Sequence, residues 1–285
     1  MLRKNGRTGS SCRRAEKTGA APDEALGGYD AICGVDVEIA VSNDTARGSR
    51  FFVAFASAML LVVLAGFAKT LFARSYFGTL DMLGARALPV HLYVHGIILA
   101  TWFMLFLVQT LLVATHHTVV HRRLGIAGAI VAPLVVASGL ITVVDSVPRA
   151  ILAKLPVEGL GPLVFGNSAT LAAFSICTLR GLVRRSEPAV HKRMMATASA
   201  NITVQAGTRV GGLFGLSPFA LGLPTLIVLL LAVVAHDLVT LRRVVPATIW
   251  GCTAAIACPV MFAILGSSPL GESIVEILRS RRTGA

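Results

Sequence analysis

Apolar residues along this chain gather into seven long blocks, at roughly 51-73, 88-114, 124-146, 160-183, 194-215, 217-240 and 245-266, separated by short polar breaks. A helix of about 20 mostly apolar residues crosses the hydrocarbon of a bilayer. Backbone groups in lipid must find partners within the spanning structure itself, which favours helices. The pattern predicts an all-α, polytopic transmembrane helix bundle of about seven spans occupying 51-266. Residues 1-50 are polar, with no sustained apolar period, and read as a disordered extension or as upstream sequence from a misplaced start. Phe51 then opens a span able to act as a signal anchor, with a weak cleavage signal after Ala68. Residues 267-285 form a short tail in which Ile274, Val275, Ile277 and Leu278 suit an interfacial amphipathic helix. The one longer break, from Asp145 to Leu160, leaves no room for an inserted soluble domain.

Composition agrees, with 55% hydrophobic residues and a mean hydropathy of +0.76. The formal charge of +12 raises nucleic acid as a partner, but the basic residues sit in short loops and form no single stripe. Membrane lipid is the expected partner, with a homo-oligomer or partner membrane subunits as further options. Placing the N-terminus in the cytoplasm puts Arg122, Arg123, Arg180, Arg184, Arg185, Lys192, Arg193, Arg242 and Arg243 on the inner side of a bacterial cytoplasmic membrane. Arg279, Arg281 and Arg282 then lie outside, against the trend. Cys12, Cys33, Cys177, Cys252 and Cys258 are scattered, and imply neither a disulfide framework nor a thiolate metal site. Pro133, Pro224 and Pro259 predict local kinks, and the pairs Gly125/Ala129 and Gly251/Ala255 predict close helix contacts.

Polar side chains inside spans are costly, so they are the first places to seek function. On the inner side, His121, His191 and His236 open or close three different spans, each beside charge. If they converge, they can ligate a metal or a b-type haem, with Asp237 orienting a ring and nearby Arg and Lys pairing the propionates. Lipid headgroups are the competing partner for the same residues. On the outer side, His91 and His95 share a helix face and can chelate a metal, though not as opposed axial ligands. Arg209 lies 18 residues after His191 on the same helix face, with Asn201 and Gln205 between them. This line predicts an interior polar network in which Asp145 neutralises Arg209 and His95, Gln109 and Asn167 stand nearby. Such a network can fix packing or line a solute path. His116 and His117 read as an exposed loop.

The segments His121-Arg122-Arg123-Leu124-Gly125 and His191-Lys192-Arg193-Met194-Met195 echo one another. Together with His95, Trp102, Gln109 and Arg209, they resemble a large bacterial family of predicted polytopic membrane proteins without a settled activity. The likeness covers residues 85 to 245, and Lys192 stands where that family more often has Arg. It implies that His95, His121, His191, Arg209 and His236 are the positions of interest. No phosphate loop, CxxC, HExxH or serine-triad signature occurs. The functional expectation is a haem- or metal-linked redox or respiratory-assembly protein. A transporter of a small or anionic solute through Arg209, and a non-catalytic membrane scaffold, are the alternatives.

Overall fold

The computed structural model describes residues 48–68, 88–152, 160–216 and 220–280. The expected extension therefore falls outside the described residues, apart from its last three, as do 69–73 of the first expected span. Among the described residues the chain is all-helical. α1 is Gly48–Phe67, α2 Val90–Ala114, α3 Thr118–Leu152 and α4 Leu160–Val183. α5 is Pro188–Leu213, α6 Gly222–Leu241, α7 Pro246–Gly266 and α8 Pro269–Ser280.

Five helices, α1, α2, α3 (over Thr118–Pro148), α6 and α7, are long and apolar enough to cross a membrane. They carry many exposed apolar side chains, among them Leu61, Ile97, Ile130, Val228 and Ile256, which would need lipid around them, as would Ile176, Leu179 and Val183 of α4. α4 and α5 are as long, at 24 and 26 residues, and α5 is clearly more polar. For α5 the reason is position. It packs on α4, α6 and α7, its Ser199 accepts a hydrogen bond from Trp102 Nε1 of α2 at 3.1 Å, and Ala206 backs onto Gly66 of α1. A helix enclosed by other helices can carry Thr197, Ser199, Asn201 and Thr203 fully buried, because none of them faces lipid.

Helix ends depart from the apolar blocks. α3 begins at Thr118 and not at 124, and α5 at Pro188 and not at 194. Apolar windows mark what lipid must cover, whereas a helix continues wherever its backbone ladder and caps allow. Pro188 sits at the first turn of α5, where a missing N–H costs nothing. The same reasoning removes the expected kink at Pro224, the third residue of α6. Pro133 and Pro148 lie inside α3, and Pro259 inside α7. Gly251 and Ala255 do meet a neighbouring helix closely, with a Cβ at Gly251 falling 2.7 Å from Thr197 Oγ1. Gly125 has only ordinary contact and Ala129 is exposed.

α8 is amphipathic, as expected, but its apolar face serves the bundle. Ile274, Val275 and Leu278 pack on a cluster from α3 and α4 that includes Val147, Leu160 and Phe165, while Ile277 stays exposed.

The α1–α5 contact depends on a missing side chain: a Cβ at Gly66 would lie 2.4 Å from the Ala206 carbonyl oxygen. Gly66→Ala is expected to lower thermal stability in detergent by about 1–3 kcal/mol. Gly128→Ala, where a Cβ meets nothing within 4 Å, is expected to leave the midpoint unchanged or slightly raised. Equal midpoints for the two variants would contradict this packing.

Candidate functional site

The alternating helix directions gather the starts of α3, α5 and α7 and the ends of α2, α4 and α6 at one basic end of the bundle. Two short turns shape it. His116 takes a left-handed φ of 62° between α2 and α3. Arg184 pairs with Glu187 between α4 and α5, its Nη2 donating to Glu187 Oε2 at 2.8 Å. That contact holds the Glu187 carboxyl below its ordinary range.

Each turn delivers a histidine into the first turn of the following helix. His191 Nδ1–H donates to the Gly181 carbonyl of α4 at 2.8 Å. Because a carbonyl only accepts, this bond assigns the proton to Nδ1 and leaves Nε2 with a free lone pair in the neutral ring. The ring of His121 stands 6.3 Å from that of His191, centroid to centroid, at an interplanar angle of 85°. Beside His121 lies the backbone of Gln109 on α2. Among the described residues, His121 Nδ1, Gln109 Oε1, Thr178 Oγ1 and Arg180 Nε are buried with no hydrogen-bond partner. Buried polar groups are nearly always satisfied, so four orphans at the same end of three neighbouring helices are a site-level feature.

The third expected ligand does not join this pair. His236 stacks on Phe51 of α1, with centroids 4.1 Å apart and planes at 3°, and meets the edge of Phe52. Among the described residues, no three His, Cys, Asp or Glu side chains come close enough to share a metal ion. Sequence alone could not separate these surroundings: His191 and Lys192 are about 100° apart on α5, so one turns to α4 and the other, over the Phe52 ring, to α1.

Asp237, expected to orient a histidine, instead holds a buried cation. Arg193 Nε and Nη2 donate to Asp237 Oδ1 at 2.9 and 2.5 Å, and the two side chains are 2% and 0% exposed. Thr248 Oγ1 and the Val245 backbone N–H donate to Asp237 Oδ2 at 2.6 and 3.1 Å. Arg193 Nη1 donates to the Ala189 carbonyl at 3.0 Å. One carboxylate thus ties α5, α6 and the start of α7 together. Arg193 was the residue that sequence reasoning missed as an interior partner. The available signal was Asp237 itself, an acid within the apolar run of α6, which demands a buried cation from another helix.

At the opposite end, His91 Nε2 and Asp145 Oδ2 are 2.9 Å apart, and His95 Nδ1 donates to Ser138 Oγ at 2.9 Å. Arg209 donates to the Gln205 carbonyl at 3.0 Å, lies 4.5 Å from the Phe67 ring centroid, and acts electrostatically on His95. Asn201 Nδ2 donates to the Thr197 carbonyl at 2.9 Å. Much of the expected polar line of α5 thus bonds to its own backbone.

Comparison with known proteins finds no matching family model, no matching curated protein and no matching solved structure.

Removing one member of a buried ion pair strands the other, at a cost of about 3–5 kcal/mol. Asp237→Ala is expected to lose that much thermal stability in detergent, and Arg193→Met with Asp237→Leu to recover most of it. A double variant as unstable as the sum of its singles would show that the two side chains do not act as a pair.

Proposed function

We propose that the protein is a seven-span membrane protein whose basic end holds a metal-centred cofactor, in its fullest form a b-type haem, between His121 and His191. Its role is then redox-linked electron transfer or respiratory assembly. In this reading α4 and α5 are the two further spans, and the polarity of α5 is tolerated because other helices screen it. The basic end faces the cytoplasm of a bacterial inner membrane, by the bias of Arg and Lys toward that side. α8 then lies outside.

The single observation that carries the reading is the His191 tautomer together with the placement of His121. A metal-ligating histidine characteristically donates its second ring N–H to a carbonyl or carboxylate, which orients the ring and makes the ligating nitrogen more basic. Gly181 supplies that carbonyl. The His121 and His191 ring centroids are 6.3 Å apart, so these two imidazoles are the residues that would hold a metal centre at this end. Bound there, haem would supply one-electron chemistry. Arg122 and Arg123, near the start of α3, lie at the same end, where they could pair its carboxylates. The carrier alternative draws less support, because Asn201 and Arg209 already bond to carbonyls of α5.

Purified protein is expected to give a dithionite-reduced minus oxidised spectrum with a sharp α-band and stoichiometric iron. Both should be lost in His121→Ala and His191→Ala but retained in His236→Ala. A blank spectrum with no stoichiometric metal, or loss only in His236→Ala, would overturn the proposal.

A further inference from the structure

α4 packs against α7, and both helices also turn apolar side chains outward. Ile176, Leu179 and Val183 of α4, and Ile249, Ile256 and Val260 of α7, are all more than 50% exposed. Spaced by three, four or seven residues, each set forms a stripe along one face of its helix. A charged residue stands in this apolar setting: Arg180, next to Leu179. Its Cζ lies 5.0 Å from the centroid of the Trp250 ring, and Trp250 is 57% exposed. An arginine of α4 is thus laid on an aromatic ring of α7 where the two outward faces meet. Arg180 belongs to the last turn of α4 and Trp250 to the first turns of α7, so both stand at the basic end of the bundle. That is the depth at which tryptophan collects beside lipid headgroups.

Arg180 is short of partners for its charge. Its Nε is enclosed without a hydrogen bond, while the residue as a whole is only half-buried, which leaves the outer end of the guanidinium to meet a ligand. Glu187 is near enough to interact with it electrostatically, but both oxygens of that carboxylate are engaged by Arg184 Nε and Nη2. Neither Arg180 nor Trp250 makes a hydrogen bond to another of the described residues. A guanidinium carries a fork of N–H donors and an indole carries one more. Donors and a positive charge at headgroup depth, flanked by two apolar stripes, are complementary to a molecule with an anionic head and two hydrocarbon chains.

We infer that the α4–α7 face at the basic end binds one anionic phospholipid, its phosphate diester held by the outer guanidinium nitrogens of Arg180 and the Trp250 indole N–H, and its acyl chains lying along the two stripes. The guanidinium fork matches a pair of phosphate oxygens. The aromatic ring beneath holds the fork in place, so little side-chain freedom is lost on binding. A free phosphate shares the headgroup chemistry but has nothing to lay on Leu179 or Ile256, and the stripes therefore favour the lipid. The site is separate from the histidine pair. Arg180 adjoins Gly181, but its side chain turns to α7, whereas the Gly181 carbonyl receives His191 of α5. Lipid binding here needs no metal and is independent of the redox reading.

The test is native mass spectrometry of the full-length protein, delipidated in detergent and titrated with dioleoylphosphatidylglycerol, with thermal unfolding measured on the same samples. Zwitterionic dioleoylphosphatidylcholine and inorganic phosphate are the comparison probes. One retained phosphatidylglycerol per chain is expected, bound at least about fivefold more tightly than phosphatidylcholine. Arg180→Gln and Trp250→Leu are each expected to weaken it by about fivefold or more. Arg243→Gln, which removes an exposed charge between α6 and α7 at the same end, is expected to leave it unchanged. Phosphatidylglycerol should raise the melting midpoint of the wild-type protein but not that of Trp250→Leu, a change at an exposed side chain that spares the core. No retained lipid on folded wild-type protein, undiminished binding by Trp250→Leu, or a loss in Arg243→Gln as large as in Arg180→Gln would overturn the inference. Displacement of the lipid by an equal concentration of inorganic phosphate would overturn it too, by showing a site for the free anion.

Discussion

The arrangement of this bundle rests on one carboxylate. An ionised aspartate within an apolar helix is unstable unless its oxygens are filled, and Asp237 has them filled by Arg193, Thr248 and the Val245 N–H. The same contacts fix the rotation of α5 against α6 and start α7 in place. With Arg193 directed to α6, geometry leaves little freedom for its neighbours. His191, about 160° away around α5, must face α4, where the Gly181 carbonyl receives it. The histidine site is therefore a consequence of the ion pair on the other side of the same helix.

Small residues complete the constraint. α5 can sit within reach of so many helices because Gly66, Gly251 and Gly181 oppose it with no side chain. Close backbone approach in turn explains why its hydroxyls and amides bond to carbonyls of their own helix and to Trp102. The cost of a polar helix among apolar ones is thus met locally, by enclosure and by internal hydrogen bonds, and much of the apolar surface is left to the surrounding helices.

Periodicity and hydropathy made the helices legible, because burial in lipid requires long apolar runs whatever their partners. Helix starts were less legible: Thr118 and Pro188 begin helices within polar sequence, where capping and turns, not hydropathy, decide. Within the site, His121 and His191 were visible as polar residues flanking spans, and they do meet. The grouping of His236 with them failed because its direction depends on the α1–α6 contact and on Phe51, which no local pattern encodes. Arg193 looked like a third member of a basic loop run. Only the position of Asp237 on the following helix distinguishes it from the exposed Arg123.

The central claim is that α5 presents His191 to His121 as a ligand pair. The most direct measurement is pulsed electron paramagnetic resonance of purified protein carrying one equivalent of Cu²⁺, counting the imidazole nitrogens coupled to the metal. The account predicts two coupled imidazoles in the wild-type protein and in His236→Ala, and one in either His121→Ala or His191→Ala. A count that does not change when His121 or His191 is replaced would contradict it.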